Sequence, residues 1–313
     1  NVDHLMDEPY RVAQYSERRL EELVAHDPAF AGNALAAFRR DGLSGQALLD
    51  KVEALHDDYR TWNASLVEWL RVEGRRVEGE QMPLLDRQAL ANRLRACWRD
   101  ALAARYAPRE PVAGPSRGRG EPVRETLDLS EYGALGDLPA LGDTAFPQIR
   151  RMILREAKLT TMQVNDFLGR FPQVRELDLS GNRLTELPAV LESFGALTDL
   201  NLAGNELKIT APTQARLNRL STLQRLDLSR NRVGHLDVTS MTNLVYLNLA
   251  QTQVATWPEG ILGLSRLGFL DLSHSAITGI PEAALVGHDV LLAGTTLRGC
   301  RLSSSALATA QAF

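Results

Sequence analysis

The chain has 313 residues, of which 44% are hydrophobic, so it is long enough for two domains with a sizeable core. Its formal net charge of −4 argues against a nucleic-acid-binding protein, because that class is strongly basic. Two cysteines are too few for a secreted disulfide scaffold, and no apolar run approaches the roughly 18 residues of a membrane helix. We therefore expect no nucleic-acid partner and no membrane contact.

Residues 1–107 predict an all-α bundle or hairpin domain. A first helix is expected from about residue 9 to 26, and Asp27-Pro28 predicts the start of a second one, with proline at its first position. That helix should end before Asp41-Gly42, and Ser44 should open a long third helix. Its apolar residues recur in steps of three and four, which is typical of a packed helix: Leu48, Val52, Leu55, Tyr59, Trp62, Leu66 and Trp69. A last helix is predicted at about 84–106.

Residues 108–125 predict an exposed linker, because four prolines and three glycines prevent a regular element. Arg117 and Arg119 make the segment locally basic, and a solvated linker is the simplest interpretation of that charge. The match to G-x-S-x-G at 114–118 is attributed to chance, because a nucleophile elbow needs a strand before it and a helix after it.

From residue 126 to 300 the chain repeats the phrase L-x-x-L-x-L-x-x-N-x-L every roughly 20–26 residues. The first clear copy uses Val174, Leu177, Leu179, Asn182 and Leu184. Clear copies follow around Leu200, Leu226, Leu247 and Leu270, and weaker copies flank them at Met152 and at Val290, Leu292, Thr295, Leu297. The phrase predicts an α/β leucine-rich-repeat solenoid, a horseshoe of parallel strands.

Within each repeat, strand alternation turns the leucines inward and makes them core. The asparagine is expected to bond backbone groups of its own loop and of a neighbouring repeat, because buried backbone needs partners. A hydroxyl takes this place at Thr252, Ser275 and Thr295 and offers fewer bonds. On the convex side, prolines such as Pro188 and Pro258 should end strand pairing, and residues 212–221 predict a helix with Pro212 at its first position.

Two columns of side chains are expected to project from the concave face. One is short and polar: Asp178, Asn201, Asp227, Asn248 and Asp271. The adjacent one contains Arg151, Glu176, Asp199, Arg225, Tyr246 and Phe269. Exposed aromatic rings beside cationic groups have the composition of a binding hot spot. We therefore predict a partner-binding site at Arg225, Tyr246, Phe269, Asp271 and His274. The alternative is that the two rings only cover the curved sheet.

The sequence contains no complete catalytic or metal-binding motif. H-E-x-x-H, a P-loop and paired C-x-x-C are missing, and the histidines have no metal spacing, so neither a metal nor a cofactor is expected. Cys97 lies on an apolar helix face, which favours a buried structural role. Cys300 has only Arg301 beside it, whereas a reactive thiol needs a base or a cationic setting.

The stretch from Phe167 to Pro188, FLGRFPQVRELDLSGNRLTELP, resembles the repeats of bacterial effectors that carry a novel E3 ligase (NEL) domain, the IpaH-type ubiquitin ligases. The helical lead-in RACWRD at 95–100 is similar to the segment before the repeats in large members. The resemblance implies type III secretion into a host cell, in its cytoplasm or nucleus. It also implies that the repeats select a host protein substrate and restrain the chain's own C-terminal catalytic domain.

In that family the catalytic domain follows the repeats and uses a Cys-x-Asp or Cys-x-Glu motif. Cys97 is followed at the third position by Arg99, and Cys300 by Leu302, so no catalytic residue can be carried over. The tail at 301–313 is then expected to lead into a removed catalytic domain. The alternative function is a non-enzymatic repeat protein that sequesters its partner.

Overall fold

The computed structural model describes residues 9–71, 84–108, 124–132 and 135–312. The chain divides into two compact units. The first contains the N-terminal helices and the segment Pro139–Gln148, and the second contains Thr126–Leu138 and the chain from Ile149 onward. The predicted linker lies almost wholly outside the described residues, including the G-x-S-x-G match. None of the described helices combines the length and the apolar run that crossing a bilayer requires.

The described part of the first unit contains four helices: α1 (Pro9–Leu23), α2 (Phe30–Arg40), α3 (Gly45–Arg71) and α4 (Leu84–Tyr106). The predicted seam of α3 is confirmed, because six of its seven residues are buried and only Tyr59 is half-buried. The predicted start of α2 at Asp27-Pro28 is wrong. Asp27 instead closes a turn, since its carboxylate accepts the N–H of Ala29 and its carbonyl accepts that of Phe30, where the helix begins.

The segment Pro139–Gln148 belongs to the helical unit, although the sequence analysis placed it inside the repeat domain. Phe146 is fully buried and meets the ring of Trp62 edge to face, with the centroids 6.1 Å apart. The amide nitrogen of Gln148 donates to the carbonyl of Cys97 at 3.0 Å. An aromatic contact and a buried hydrogen bond therefore hold this segment against α3 and α4.

The second unit is built on one parallel sheet whose strands follow chain order. Its strands are β1 (Thr126–Asp128), β2 (Arg151–Ile153), β3 (Glu176–Asp178), β4 (Asp199–Asn201), β5 (Arg225–Asp227), β6 (Tyr246–Asn248), β7 (Phe269–Asp271) and β8 (Thr295–Thr296). Their central residues pair in register and are buried from Leu127 to Leu270. The predicted leucine-rich-repeat solenoid and its inward leucines are thus confirmed.

The predicted backbone bonds of the repeat asparagines are also confirmed. The row of side chains at this position, Asn182, Asn205 and Asn231, is called the asparagine ladder below. The side-chain amide of Asn182 donates to the carbonyls of Leu154, in the preceding repeat, and Leu179, in its own, at 2.7 and 2.9 Å. Its oxygen accepts two backbone N–H groups of the preceding loop. Asn205 and Asn231 repeat the pattern. Each amide therefore joins two consecutive repeats through otherwise unpaired backbone groups.

The last repeat corrects one prediction. Thr295 pairs with Leu270, so it occupies the central strand position and not the ladder position. Cys300, five residues later, takes that place, and its thiol donates to the carbonyl of Leu272 at 3.2 Å. The predicted register failed because Asp289–Ala293 forms a helix, α7, which leaves Val290 78% exposed.

Helical turns complete the convex side. Short 3-10 turns follow Pro188 and Pro281, at Ala189–Ser193 and Glu282–Leu285. Besides α7, the described residues of the second unit form the α-helices α5 (Thr161–Leu168), α6 (Ala211–Arg219) and α8 (Ser304–Gln311). The predicted helix after β4 exists, but Thr210 caps it, so Pro212 is its second residue and not its first.

Candidate partner-binding surface

Two columns of outward side chains run across the sheet in the predicted register. The leading column contains the residue before each central position: Thr126, Arg151, Glu176, Asp199, Arg225, Tyr246 and Phe269. The trailing column contains the residue after it: Asp128, Ile153, Asp178, Asn201, Asp227, Asn248, Asp271 and Thr296. Paired strands lie about 4.8 Å apart, so neighbouring members of a column are in contact range.

The trailing column shapes the turn that follows each strand. Oδ1 of Asp178 accepts the backbone N–H of Ser180 at 3.0 Å and its hydroxyl at 2.6 Å. The same bond to the N–H two residues on forms at Asp128, Asn201, Asp227, Asn248 and Asp271. Such local bonds explain why Asp and Asn occupy these positions. Two neighbouring members of the column also bond each other, because the amide of Asn248 donates to Oδ2 of Asp227 at 3.4 Å.

The leading column is charged at one end and aromatic at the other. Arg151 lies 3.5 Å from Glu176, and Arg225 lies 3.8 Å from Asp199. These pairs border a groove of about 500 Å³ that extends from β2 to Tyr246 on β6. The pairs are largely exposed, so each contributes little to stability.

At the other end, three predicted site residues form a single stack. The rings of Tyr246 and Phe269 are parallel within 4°, and their centroids are 4.4 Å apart. The guanidinium of Arg225 lies over the ring of Tyr246 at 4.3 Å. Phe269 remains 38% exposed, and Tyr246 is half-buried. The buried side chains of these two strands are Leu247 and Leu270. The core therefore does not need the two rings, and they are available to a ligand.

The two other predicted residues occupy different settings. Asp271 lies two residues after Phe269 on β7, on the same side of the strand, and its Oδ1 is held by Ser273. His274 lies beyond the strand, in a turn, with a positive φ of 52°. Its backbone N–H donates to the carbonyl of Arg298, and its ring lies against Gly299, where a Cβ would come within 2.2 Å of Nδ1. The described contacts of His274 are thus with the following turn and do not include the aromatic pair.

Sequence reasoning missed the conformation of this turn. The fourth residue after the central strand position has a positive φ in successive repeats: Glu156, Gly181, Gly204, Arg230, Gln251, His274 and Gly299. A large side chain here lies beside a glycine of the adjacent repeat, as Arg230 does over Gly204 and His274 does over Gly299. The three glycines, aligned on the repeat, are the sequence feature that could have indicated this conformation.

Among known protein families, a match lies within the repeats. Residues 173–194 match the Leucine Rich Repeat family. The calmodulin-binding receptor kinase CaMRLK of Arabidopsis thaliana is 32% identical over 137 residues, covering 42% of this chain and 20% of that protein. Lumican of Gallus gallus is 31% identical over 133 residues, covering 41% of this chain and 38% of that protein. The chain thus spans between a fifth and two fifths of the length of these curated relatives.

Solved structures with a similar chain path include bacterial proteins. An internalin of Listeria monocytogenes gives a TM-score of 0.48 at 17% identity, covering 58% of this chain and 49% of that chain. The repeat protein LIC12759 of Leptospira interrogans gives 0.44 at 25% identity, covering 50% of this chain and 39% of that chain. The solenoid and the family match together identify the repeat part of the chain as a leucine-rich-repeat domain.

Proposed function

We propose that the chain binds a protein partner on the concave face of its repeat sheet, with the stack of Arg225, Tyr246 and Phe269 as the anchor. The observation that carries the proposal is the exposed parallel pair of rings, which is already ordered before any ligand arrives. Preorganised aromatic and arginine side chains are enriched among the residues that dominate binding energy.

The neighbouring groove complements this anchor. Its paired charges on Arg151, Glu176, Asp199 and Arg225 are exposed and can exchange partners with a ligand at small cost. Polar side chains next to an apolar contact are the arrangement found where the rim of a protein interface meets its core. This favours a folded protein or an extended segment of one as the ligand.

The finer proposal concerns the biological setting. The chain is the substrate-recognition part of a bacterial ubiquitin ligase of the NEL type, secreted into the host cell and active in its cytoplasm or nucleus. The resemblance of residues 167–188 and 95–100 to that family supports it. Transfer of ubiquitin is assigned to a catalytic domain following the repeats, and selection of the host protein to this chain.

The chemistry of the two thiols agrees with this division of labour. Burial raises the pKa of Cys97 to about 11, which keeps the thiol protonated and out of reach of a second protein. The thiol of Cys300 is engaged with the carbonyl of Leu272 as the last rung of the ladder. Both cysteines therefore serve the fold.

The surface proposal is tested with the double substitution Tyr246→Ala, Phe269→Ala. A partner crosslinked to the wild-type chain in host-cell extract should bind this variant at least about tenfold more weakly, the effect of losing one hot spot. Met162→Ala is the matched control, because it removes a 75% exposed apolar side chain from α5. Equal binding of the double variant, with its circular dichroism unchanged, would place the interface elsewhere.

The ligase proposal needs the full-length protein and that partner. The wild-type protein should attach ubiquitin to the partner, and the double variant should lose this activity but keep the synthesis of free ubiquitin chains. A full-length protein that binds the partner without modifying it would instead indicate sequestration.

A further inference from the structure

The aromatic stack ends without a covering side chain on β8. Since Leu270 pairs with Thr295, the position next to Phe269 in the leading column is Gly294. Its carbonyl accepts the N–H of Leu270 at 3.0 Å, and a Cβ there would come within 1.8 Å of the carbonyl oxygen of Gly268. Packing thus requires glycine at 294, and the ring face of Phe269 turned away from Tyr246 has no leading-column side chain over it.

At the other end of the stack, the outer face of the aromatic ring is covered by a cationic side chain. There the guanidinium of Arg225 covers the ring of Tyr246 at 4.3 Å and lies 3.8 Å from the carboxylate of Asp199. A planar cation over the ring, with a carboxylate beside it, combines cation–π attraction with charge pairing.

The open end already has the carboxylate. Asp271 lies two residues from Phe269 on the same side of β7, about 7 Å along the strand. Its Oδ1 accepts bonds from Ser273, and among the described contacts none engages Oδ2. Acids outnumber bases in the two columns, with Asp128, Glu176, Asp178, Asp199, Asp227 and Asp271 against Arg151 and Arg225, and Arg155 beside the columns pairs with Asp178 at 3.2 Å.

We propose that an arginine of the bound protein stacks its guanidinium on the open face of Phe269 and pairs with Oδ2 of Asp271. The inference rests on the proposed concave-face function and names the partner's chemistry. Arginine fits better than lysine, because its planar fork stacks on a ring and still donates in plane to a carboxylate. An aromatic side chain could stack but would leave Asp271 unused.

The probe is a phage library of random twelve-residue peptides, selected on the whole chain and counter-selected on Phe269→Ala. Peptides that depend on Phe269 should contain arginine, and replacing it by citrulline, which keeps the planar shape and loses the charge, should weaken binding at least about tenfold. Lysine at that position should also bind more weakly, because it cannot stack in the same way.

Matched variants of the protein complete the test. Asp271→Asn should weaken the arginine peptide several-fold, whereas Asp128→Asn should not, although Asp128 makes the same bonds to Ser130 at the other end of the sheet. Asparagine is compatible with the turn, because Asn201 and Asn248 already occupy this position.

The outcomes separate the two proposals. Phe269-dependent peptides that tolerate citrulline, or that carry an aromatic residue in place of arginine, would overturn the arginine site and leave the concave-face function standing. Peptides selected without the counter-selection that bind the Tyr246→Ala, Phe269→Ala variant as tightly as wild type would overturn both. A library that yields no Phe269-dependent peptide would also count against the arginine site.

Discussion

Tyr246 and Phe269 lie in different repeats, yet their rings are parallel with centroids 4.4 Å apart. The spacing follows from the sheet, because equivalent residues of paired strands are about 4.8 Å apart, close to the preferred distance of offset rings. The solenoid therefore sets the geometry of the stack, and any two planar side chains at this position of consecutive repeats would be held in the same way.

This geometry predicts an energetic coupling between the rings. Replacing Tyr246 and Phe269 by alanine, singly and together, should give a coupling of about 0.5–1.5 kcal/mol in the free energy of unfolding measured in urea. A parallel cycle of Tyr246 with Met162, which lies on α5, should give a coupling near zero. Additive effects for the stacked pair would mean that the rings do not pack together in solution.

Inward leucines should be far more important to stability. Leu226 and Leu249 are fully buried, so truncating either to alanine should cost roughly 2–5 kcal/mol of unfolding free energy. Val245→Ala is the control, since that side chain is 41% exposed and should have a small effect. If both leucine variants unfolded at the same urea concentration as the wild type, the strand register would be wrong.

The rungs of the ladder should differ in strength. Asn205 bonds the carbonyls of Leu179 and Leu202 and the N–H of Leu184, whereas the described side-chain bond of Thr252 is to the carbonyl of Leu249. Each buried group left unpaired costs about 1–3 kcal/mol. Asn205→Ala should therefore destabilise the chain by at least about 1 kcal/mol more than Thr252→Ala in thermal or urea melts. Equal losses would contradict a shared ladder.

Cys97 should make stability fall at high pH. Burial raises the pKa of its thiol from 9.0 to about 11, so the folded and unfolded thiols are both neutral only well below pH 9. Between pH 9 and 11 the unfolded thiol ionises first, which lowers the free energy of unfolding by as much as about 2–3 kcal/mol. Across that window the free energy of unfolding should fall by this amount more in the wild-type chain than in Cys97→Ala. Parallel pH profiles of the two proteins would show that the pKa of Cys97 is not raised by folding.

The chain alone should form no thioester with ubiquitin. Cys97 is buried and protonated, and the thiol of Cys300 donates a hydrogen bond to the carbonyl of Leu272. Neither thiol is therefore placed to accept ubiquitin from a charged conjugating enzyme. Non-reducing gels after such an incubation should show only unmodified chain. A thioester band that vanishes in Cys97→Ala or Cys300→Ala would overturn this expectation.

The sheet and its two columns were predictable because the repeat phrase fixes both strand position and side-chain direction. Once Leu226 and Leu247 are inward, Arg225 and Tyr246 must project from the other side. The exposure of Tyr246 and Phe269 next to Arg225 followed from this register, but their stacking did not. The same argument failed at the last repeat, because Val290 and Leu292, whose alternation predicted a strand, lie in a short helix.

Two features depend on contacts that no repeat phrase contains. The position of His274 is set by the left-handed turn and by Gly299, which lies in the next repeat. The burial of Phe146 depends on Trp62, far away in the chain, and no periodicity links the two. Long-range packing of this kind becomes visible only in three dimensions.

The placement of Pro139–Gln148 has a consequence for biosynthesis. Translation completes α4 and β1 before it reaches Phe146, so the helical unit has all of its residues only after the first strand of the sheet has been made. A nascent chain that ends at residue 125 would expose the site on Trp62 that Phe146 later fills. The contacts of Phe146 and Gln148 with the N-terminal helices can therefore form only after residue 148 has been synthesised.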